Sequence, residues 1–184
     1  MSKQGQTLKT IQGVSKAGYI ISKISFVCSI VGVAGCAIGT IFLAIFGENA
    51  LLKIDGKSIR AIIETEAEMS LNNVYAAMIT AMVICAFNIA VSNLYQNFFS
   101  RELDAGTPFS FEVAKDMKHT GIVTLIVGFI GSVVAAGVHE TMDILFDGIE
   151  KMENDYLYSC GLSICFIVMS LLCKYGAEIK ECEK

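Results

Sequence analysis

The stretch ISFVCSIVGVAGCAIGTIFLAIFG occupies residues 24–47 and contains no charged side chain. About 20 helical residues of this kind are enough to cross the roughly 30 Å of hydrocarbon in a bilayer. In lipid such a segment must be a helix, because an open strand would leave its backbone groups without hydrogen-bond partners. We therefore predict a membrane-spanning helix here. Its length argues against the alternative of a cleaved signal peptide.

Three further uncharged stretches repeat this pattern. We predict four spans, at about residues 20–47, 72–98, 119–139 and 156–176. The composition agrees, with 54% hydrophobic and only 17% charged residues, against about 25% charged residues in ordinary soluble domains. No linker divides the chain. The predicted fold is therefore all-α: one polytopic membrane domain over residues 1–184, a bundle of four transmembrane helices in which two hairpins are joined by a cytoplasmic amphipathic helix.

The lysine and arginine residues indicate the orientation of the spans. Ten of the 14 lie in the N-terminal segment, the middle loop and the C-terminal tail, and four lie in the other two loops. Cytoplasmic loops carry the excess of these residues, so we predict that both termini are cytoplasmic. The net charge is −4 and no basic block is present, which excludes nucleic acid as a partner.

The second predicted span carries the most polar side chains. One helical face holds the residues that recur at spacings of four or eight, namely Thr80, Asn88, Ser92 and Gln96. Hydrogen bonding to neighbouring helices is the favoured interpretation, and a polar path for a substrate or ion is the alternative. No charged residue or histidine lies in the middle of a span, which argues against a proton-coupled pump.

Glycine and cysteine residues in the spans are expected to serve helix packing. Gly35 and Gly39 form a G-x-x-x-G pair in the first span, a spacing that permits close contact with another helix. Six of the seven cysteines lie in apolar runs without a C-x-x-C pair, so we expect them to pack as small hydrophobic residues. No catalytic motif is present, and we predict no catalytic residue, metal or cofactor.

The middle loop contains the most organised polar segment. Gly106 should end the preceding helix, and Thr107 or Ser110 can cap a new one, with Pro108 near its first turn. An apolar stripe follows at four-residue spacing, formed by Phe109, Val113 and Met117. The favoured role of this amphipathic helix is an elbow at the inner membrane surface, and the alternative is a docking face for a cytoplasmic partner.

The sequence GTPFS at residues 106–110, followed by a short basic helix and by Gly121 at the start of an apolar span, resembles the signature of the family called domain of unknown function 2975. Members of that family are small four-span membrane proteins of bacteria. The chain is also similar to them in length, in span spacing and in its polar tail. The resemblance implies a bacterial plasma-membrane location and a regulatory or accessory role, and it brings no catalytic residues.

Two hypotheses for the function follow. The first is a non-enzymatic membrane protein of accessory, regulatory or immunity type, which acts through protein contacts at Phe109, Val113 and Met117 and at its acidic outer loop. The second is a small homo-oligomeric transporter or channel. The expected partners are the lipid bilayer and a membrane protein, a cytoplasmic protein or further copies of the chain. A membrane thiol oxidoreductase fits least well, because it needs paired cysteines.

Overall fold

The computed structural model describes residues 3–46, 53–54, 57–58, 70–146, 149 and 157–182. In this part of the chain four helices follow one another: α1 (Lys3–Phe46), α2 (Leu71–Ala105), α3 (Phe111–Phe146) and α4 (Leu157–Cys182). Two short antiparallel strands, β1 (Lys53–Ile54) and β2 (Lys57–Ser58), lie between α1 and α2 in the sequence, with Lys53 opposite Ser58.

All four helices are long and apolar enough to cross a membrane. The stretches that qualify are Lys9–Phe46, Leu71–Ala105, Phe111–Phe146 and Gly161–Ile179. They confirm the predicted fold class, an all-α polytopic membrane protein with four spanning helices. Large hydrophobic side chains point outwards, as in Val31 at 64% and Leu172 at 58% exposure, which is expected where lipid is the solvent.

The first three helices are longer than the predicted spans. They contain 44, 35 and 36 residues, which correspond to about 50–66 Å at the rise of an α-helix. Since the hydrocarbon layer is roughly 30 Å thick, each of these helices must continue beyond it at one or both ends. The charged residues at the helix ends are accommodated in these extensions.

The chain divides into two compact units. The first unit contains Met1–Cys28, Phe87–Ile130 and Asp155–Lys184, and the second contains Ser29–Ala86 and Gly131–Asn154. Each of α1, α2 and α3 contributes one part of its length to each unit. The assignment of residues 1–184 to a single domain stays a prediction.

In the first unit, α1 packs against α2 through small side chains. Gly18 faces the ring of Phe99 so closely that a Cβ atom there would lie 2.5 Å from Cζ. Seven residues further along α1, Ser25 accepts a hydrogen bond of 3.0 Å from the hydroxyl of Ser92, which lies seven residues before Phe99. The contact therefore advances in steps of seven residues on both helices.

The second unit contains the same type of contact. Gly32 faces the sulfur of Cys85, and Gly39 faces the terminal methyl group of Met78. Gly35 has open space around it, so the packing glycines are seven residues apart and the G-x-x-x-G spacing of Gly35 and Gly39 is not the one that this helix pair uses. A seven-residue repeat is the pattern of a left-handed pair of helices.

The core of the first unit brings α2, α3 and α4 together. Its buried members are Phe98, Val113, Ala114, Met117 and Cys173, with Phe99 and Phe166 packed against them. The rings of Phe98 and Phe166 meet edge to face with their centroids 5.3 Å apart, a favourable arrangement for aromatic pairs.

The corner between α2 and α3 follows the sequence closely. Gly106 adopts a φ of 69°, the left-handed conformation that ends many helices, and its N–H donates to the carbonyls of Glu102 and Leu103. Ser110 caps α3 by accepting a hydrogen bond of 3.2 Å from the N–H of Val113. Both predictions are confirmed, although the amphipathic segment is continuous with the third span and is not a separate helix.

Candidate functional site

The predicted docking stripe at the start of α3 is mostly internal. Val113 is 4% and Met117 is 8% exposed, both in the core of the first unit. Phe109 is 40% exposed, but its ring lies against Gly176 of α4, where a Cβ atom would approach Cδ1 to 2.6 Å. The burial of Val113 and Met117 corrects the docking interpretation for these two residues and favours the elbow. The exposed side of this segment carries Phe111, Lys115 and Lys118 instead.

The residues of the predicted polar path are not brought together as one path. Ser92 is 4% exposed and bonds to Ser25, and the amide nitrogen of Gln96 donates to the carbonyl of Ser22 at 3.3 Å. Thr80 belongs to the second unit, where it is 1% exposed, while Asn88 is exposed. Ser92 and Gln96 therefore act as interhelical hydrogen-bonding groups between α2 and α1.

A cluster of buried hydroxyl groups, which the sequence did not predict, lies where three helices of the first unit meet. Ser163 of α4 is 0% and Thr124 of α3 is 1% exposed, and the hydroxyl of Tyr95 in α2 lies near both but forms no hydrogen bond within the described part of the chain. Thr124 itself donates to the carbonyl of Thr120. The cluster places hydroxyl groups from three helices inside an otherwise apolar core. The recurrence of serine and threonine along the third and fourth predicted spans is the sequence signal that could have indicated it.

Glu102 is a second residue that the sequence did not single out. It is 8% exposed near the end of α2, where its carboxyl group lies near Ser15 of α1 and near the thiol of Cys173 of α4. The neighbouring Arg101 forms its ion pair with Asp116 at 3.0 Å. Burial of a carboxylate disfavours its charged form. The buried position of Glu102 therefore costs free energy that the packing of the surrounding helices must offset.

The outer face of α2 differs from that of the other helices. Five exposed residues follow each other at spacings of four and three, which places them on one side of the helix: Ala86, Ala90, Asn93, Asn97 and Ser100. In the described part of the chain, α1 exposes eleven large hydrophobic side chains, whereas α2 exposes only Ile84, at 39%. We call the five residues the α2 face.

The described residues include no group of three or more histidine, cysteine, aspartate or glutamate side chains placed to hold a metal ion. The cysteines that the structure describes in detail are free thiols, at positions 28, 36, 85, 165 and 173. Cys85 and Cys173 pack against neighbouring helices, as expected for cysteine used as a small hydrophobic residue.

No family model, curated protein or solved structure matches this chain. The similarity to domain of unknown function 2975 stays a prediction that rests on the residues around Gly106.

Proposed function

We propose that this chain is a non-enzymatic integral membrane protein of accessory or regulatory type, which acts through contacts with protein helices in the plane of the membrane. The observation that carries the proposal is the α2 face. It presents small and polar side chains on the outside of a helix whose sequence is apolar enough to span a bilayer.

The physical argument concerns the two amides of the α2 face. Asn93 and Asn97 are one helical turn apart and both are exposed. An amide in hydrocarbon without a partner costs several kcal/mol, whereas an asparagine in a neighbouring helix offers both a donor and an acceptor. A protein partner therefore removes this cost. Because the exposed Asn88 carries the same cost, the two amides identify the α2 face only together with the small residues beside them.

The small residues of the α2 face support the same proposal. Ala86 and Ala90 continue the line of the amides towards the middle of the predicted span. Small side chains let two helix backbones approach closely, which is how helices associate in membranes. By contrast, α1 exposes isoleucine and valine side chains, which form a surface suited to contact with lipid chains.

The location is part of the proposal. We place both termini, and therefore the corner at Gly106, on the cytoplasmic side, because ten of the 14 basic residues belong to those segments. The resemblance of residues 106–121 to the bacterial family supports a bacterial plasma membrane.

The alternative of a transporter or channel has less support. The side chains of Ser92 and Gln96 donate hydrogen bonds to residues of α1, and Thr80 is buried in the second unit. A polar path would have to form between several copies of the chain and would involve Asn88, which is exposed.

The test compares complexes purified from the native membrane in mild detergent, by light scattering and by mass spectrometry of the co-eluting chains. We expect the wild-type chain to elute with a different membrane protein, whereas a complex of further copies alone would favour the transporter or channel. The double variant Asn93→Leu/Asn97→Leu should weaken this association about tenfold, because interhelical hydrogen bonds contribute roughly 0.6 to 1.7 kcal/mol each.

Asn88→Leu is the matched control. It makes the same chemical change at another exposed position of α2, which lies about 200° around the helix from Ala86. The control should leave the complex intact. A wild-type chain that elutes alone, or a double variant that associates as the wild type does, contradicts the proposal. Loss of a transport activity in Asn88→Leu with an intact complex would favour the alternative.

A further inference from the structure

A groove with a volume of about 350 Å³ lies between α3 and α4 in the first unit. Its lining consists of Phe111, Ala114, Lys115 and Lys118 from α3 and of Ser170, Leu171 and Lys174 from α4. Three of these seven residues are lysines and none is acidic. The groove is therefore positively charged, although the chain as a whole carries a net charge of −4.

The positive charge of the groove is only partly balanced by nearby acids. Asp116, which lies between the two α3 lysines in the sequence, forms its ion pair with Arg101. Lys174 is 3.8 Å from Glu178, but the two side chains are 59% and 51% exposed, and pairs of this kind contribute little. The ammonium groups therefore remain available to an anion.

The floor of the groove offers mainly apolar groups to a ligand. Ala114 and Ser170 are buried, and the hydroxyl of Ser170 already donates to the carbonyl of Ile167 at 2.6 Å. Leu171 is 58% and Phe111 is 40% exposed. A ligand in the groove thus meets lysine side chains at its rim and hydrocarbon at its base.

An apolar track continues from the groove along both helices. Gly121 allows α3 to approach the backbone of α4, where a Cβ atom would lie 3.1 Å from the carbonyl oxygen of Ser163. Exposed hydrophobic side chains follow the lysines towards the middle of the predicted spans, on α3 at Ile122 and Ile126 and on α4 at Val168 and Ile164. The boundary between α3 and α4 therefore carries lysine side chains at one end and exposed apolar side chains beyond them.

We propose that this groove binds an anionic phospholipid, with the phosphate between Lys115, Lys118 and Lys174 and one acyl chain along the apolar track. The lysines lie at the ends of the third and fourth predicted spans, which is the level of the headgroups. Basic pockets between spanning helices on the cytoplasmic side suit anionic headgroups. A soluble anion would leave the apolar track unused, and a cytoplasmic protein would not reach it.

The test uses the purified full chain in mild detergent and native mass spectrometry, with dioleoylphosphatidylglycerol, dioleoylphosphatidylcholine and inorganic phosphate as separate probes. We expect one phosphatidylglycerol molecule to bind at least tenfold more tightly than phosphatidylcholine. A lysine near the headgroups contributes about fivefold, so Lys115→Gln/Lys118→Gln/Lys174→Gln should weaken phosphatidylglycerol binding about 100-fold. Inorganic phosphate should not displace the lipid.

Two matched controls separate the groove from general charge and general hydrophobicity. Lys9→Gln/Lys16→Gln/Lys23→Gln removes three exposed lysines of α1 and should leave binding within twofold of the wild type. Leu171→Asn should weaken binding, whereas Leu172→Asn, at an equally exposed neighbouring position, should not. Equal binding of both lipids, equal losses in the two lysine variants, or displacement by inorganic phosphate would overturn the proposal.

Discussion

At the scale of single residues, the buried hydroxyl groups differ in whether they are paired. The hydroxyl of Thr124 donates to Thr120 and lies against Tyr95. The hydroxyl of Thr80 is buried as deeply, yet it has no hydrogen-bond partner within the described part of the chain. A buried polar atom without a partner costs about 1–3 kcal/mol, so these two threonines should respond differently to the same substitution.

Valine has nearly the shape of threonine without the hydroxyl group, and it provides the comparison. We expect Thr80→Val to leave the free energy of unfolding unchanged or to raise it by about 1 kcal/mol, because it removes an unpaired polar atom. Thr124→Val should lower it by about 1 kcal/mol, because it removes a bond. Thermal unfolding in detergent, followed by circular dichroism, measures the stability of both variants. Equal effects would contradict the conclusion that the Thr124 hydroxyl is paired and the Thr80 hydroxyl is not.

Glu102 shows which residues sequence patterns do not reveal. The hydropathy of the second span is dominated by its apolar stretch, and Glu102 follows that stretch beside Arg101, where a carboxylate is expected to be solvated. It is nevertheless buried, and the side chains that interact with it, Ser15 and Cys173, are distant in sequence. No local pattern contains that information.

At the scale of helices, the pairing of α1 with α2 depends on residues without side-chain bulk. Gly18 is in contact with the ring of Phe99, whereas Gly13, five residues earlier on the same helix, has open space around it. The two glycines therefore separate the effect of packing from the effect of helix propensity.

We expect Gly18→Ala to lower the free energy of unfolding by about 1–3 kcal/mol, because the new methyl group must displace the ring of Phe99. Gly13→Ala should raise it by up to about 1 kcal/mol, since alanine favours the helix over glycine. The same unfolding measurement compares them. A Gly18→Ala variant as stable as Gly13→Ala would show that α1 and α2 do not meet at Phe99.

The helices themselves were largely predictable, and their pairing was not. The length of the uncharged stretches predicted the four spans. The corner between α2 and α3 was predicted from the conformational freedom of Gly106 and from the hydroxyl of Ser110, which caps α3. The seven-residue series of Gly18, Ser25, Gly32 and Gly39 was missed because small residues contribute little to hydropathy. The burial of Val113 and Met117 could not be predicted from the sequence either, because an amphipathic stripe does not indicate whether it faces the same chain or a partner.

At the scale of the whole molecule, the distribution of basic residues predicts the topology in the membrane. A fluorescent protein fused after Lys184 should fluoresce in the cytoplasm of a bacterial host, and alkaline phosphatase fused there should be inactive. Alkaline phosphatase fused after Asp155, in the loop between the third and fourth predicted spans, should be active. The reverse pattern of activities would contradict cytoplasmic termini and would also move the lysine groove to the outer leaflet.

The seven-residue register between α1 and α2 limits how the length of α1 can vary during evolution. Inserting or deleting one residue within the paired part of this helix turns everything beyond it by about 100°. Bulky side chains such as Ile24 or Val31 would then replace the glycines and serines opposite α2. Length changes of seven residues keep the small side chains in place. Homologous chains should therefore differ in length at their loops and termini, and inside this helix only by whole repeats.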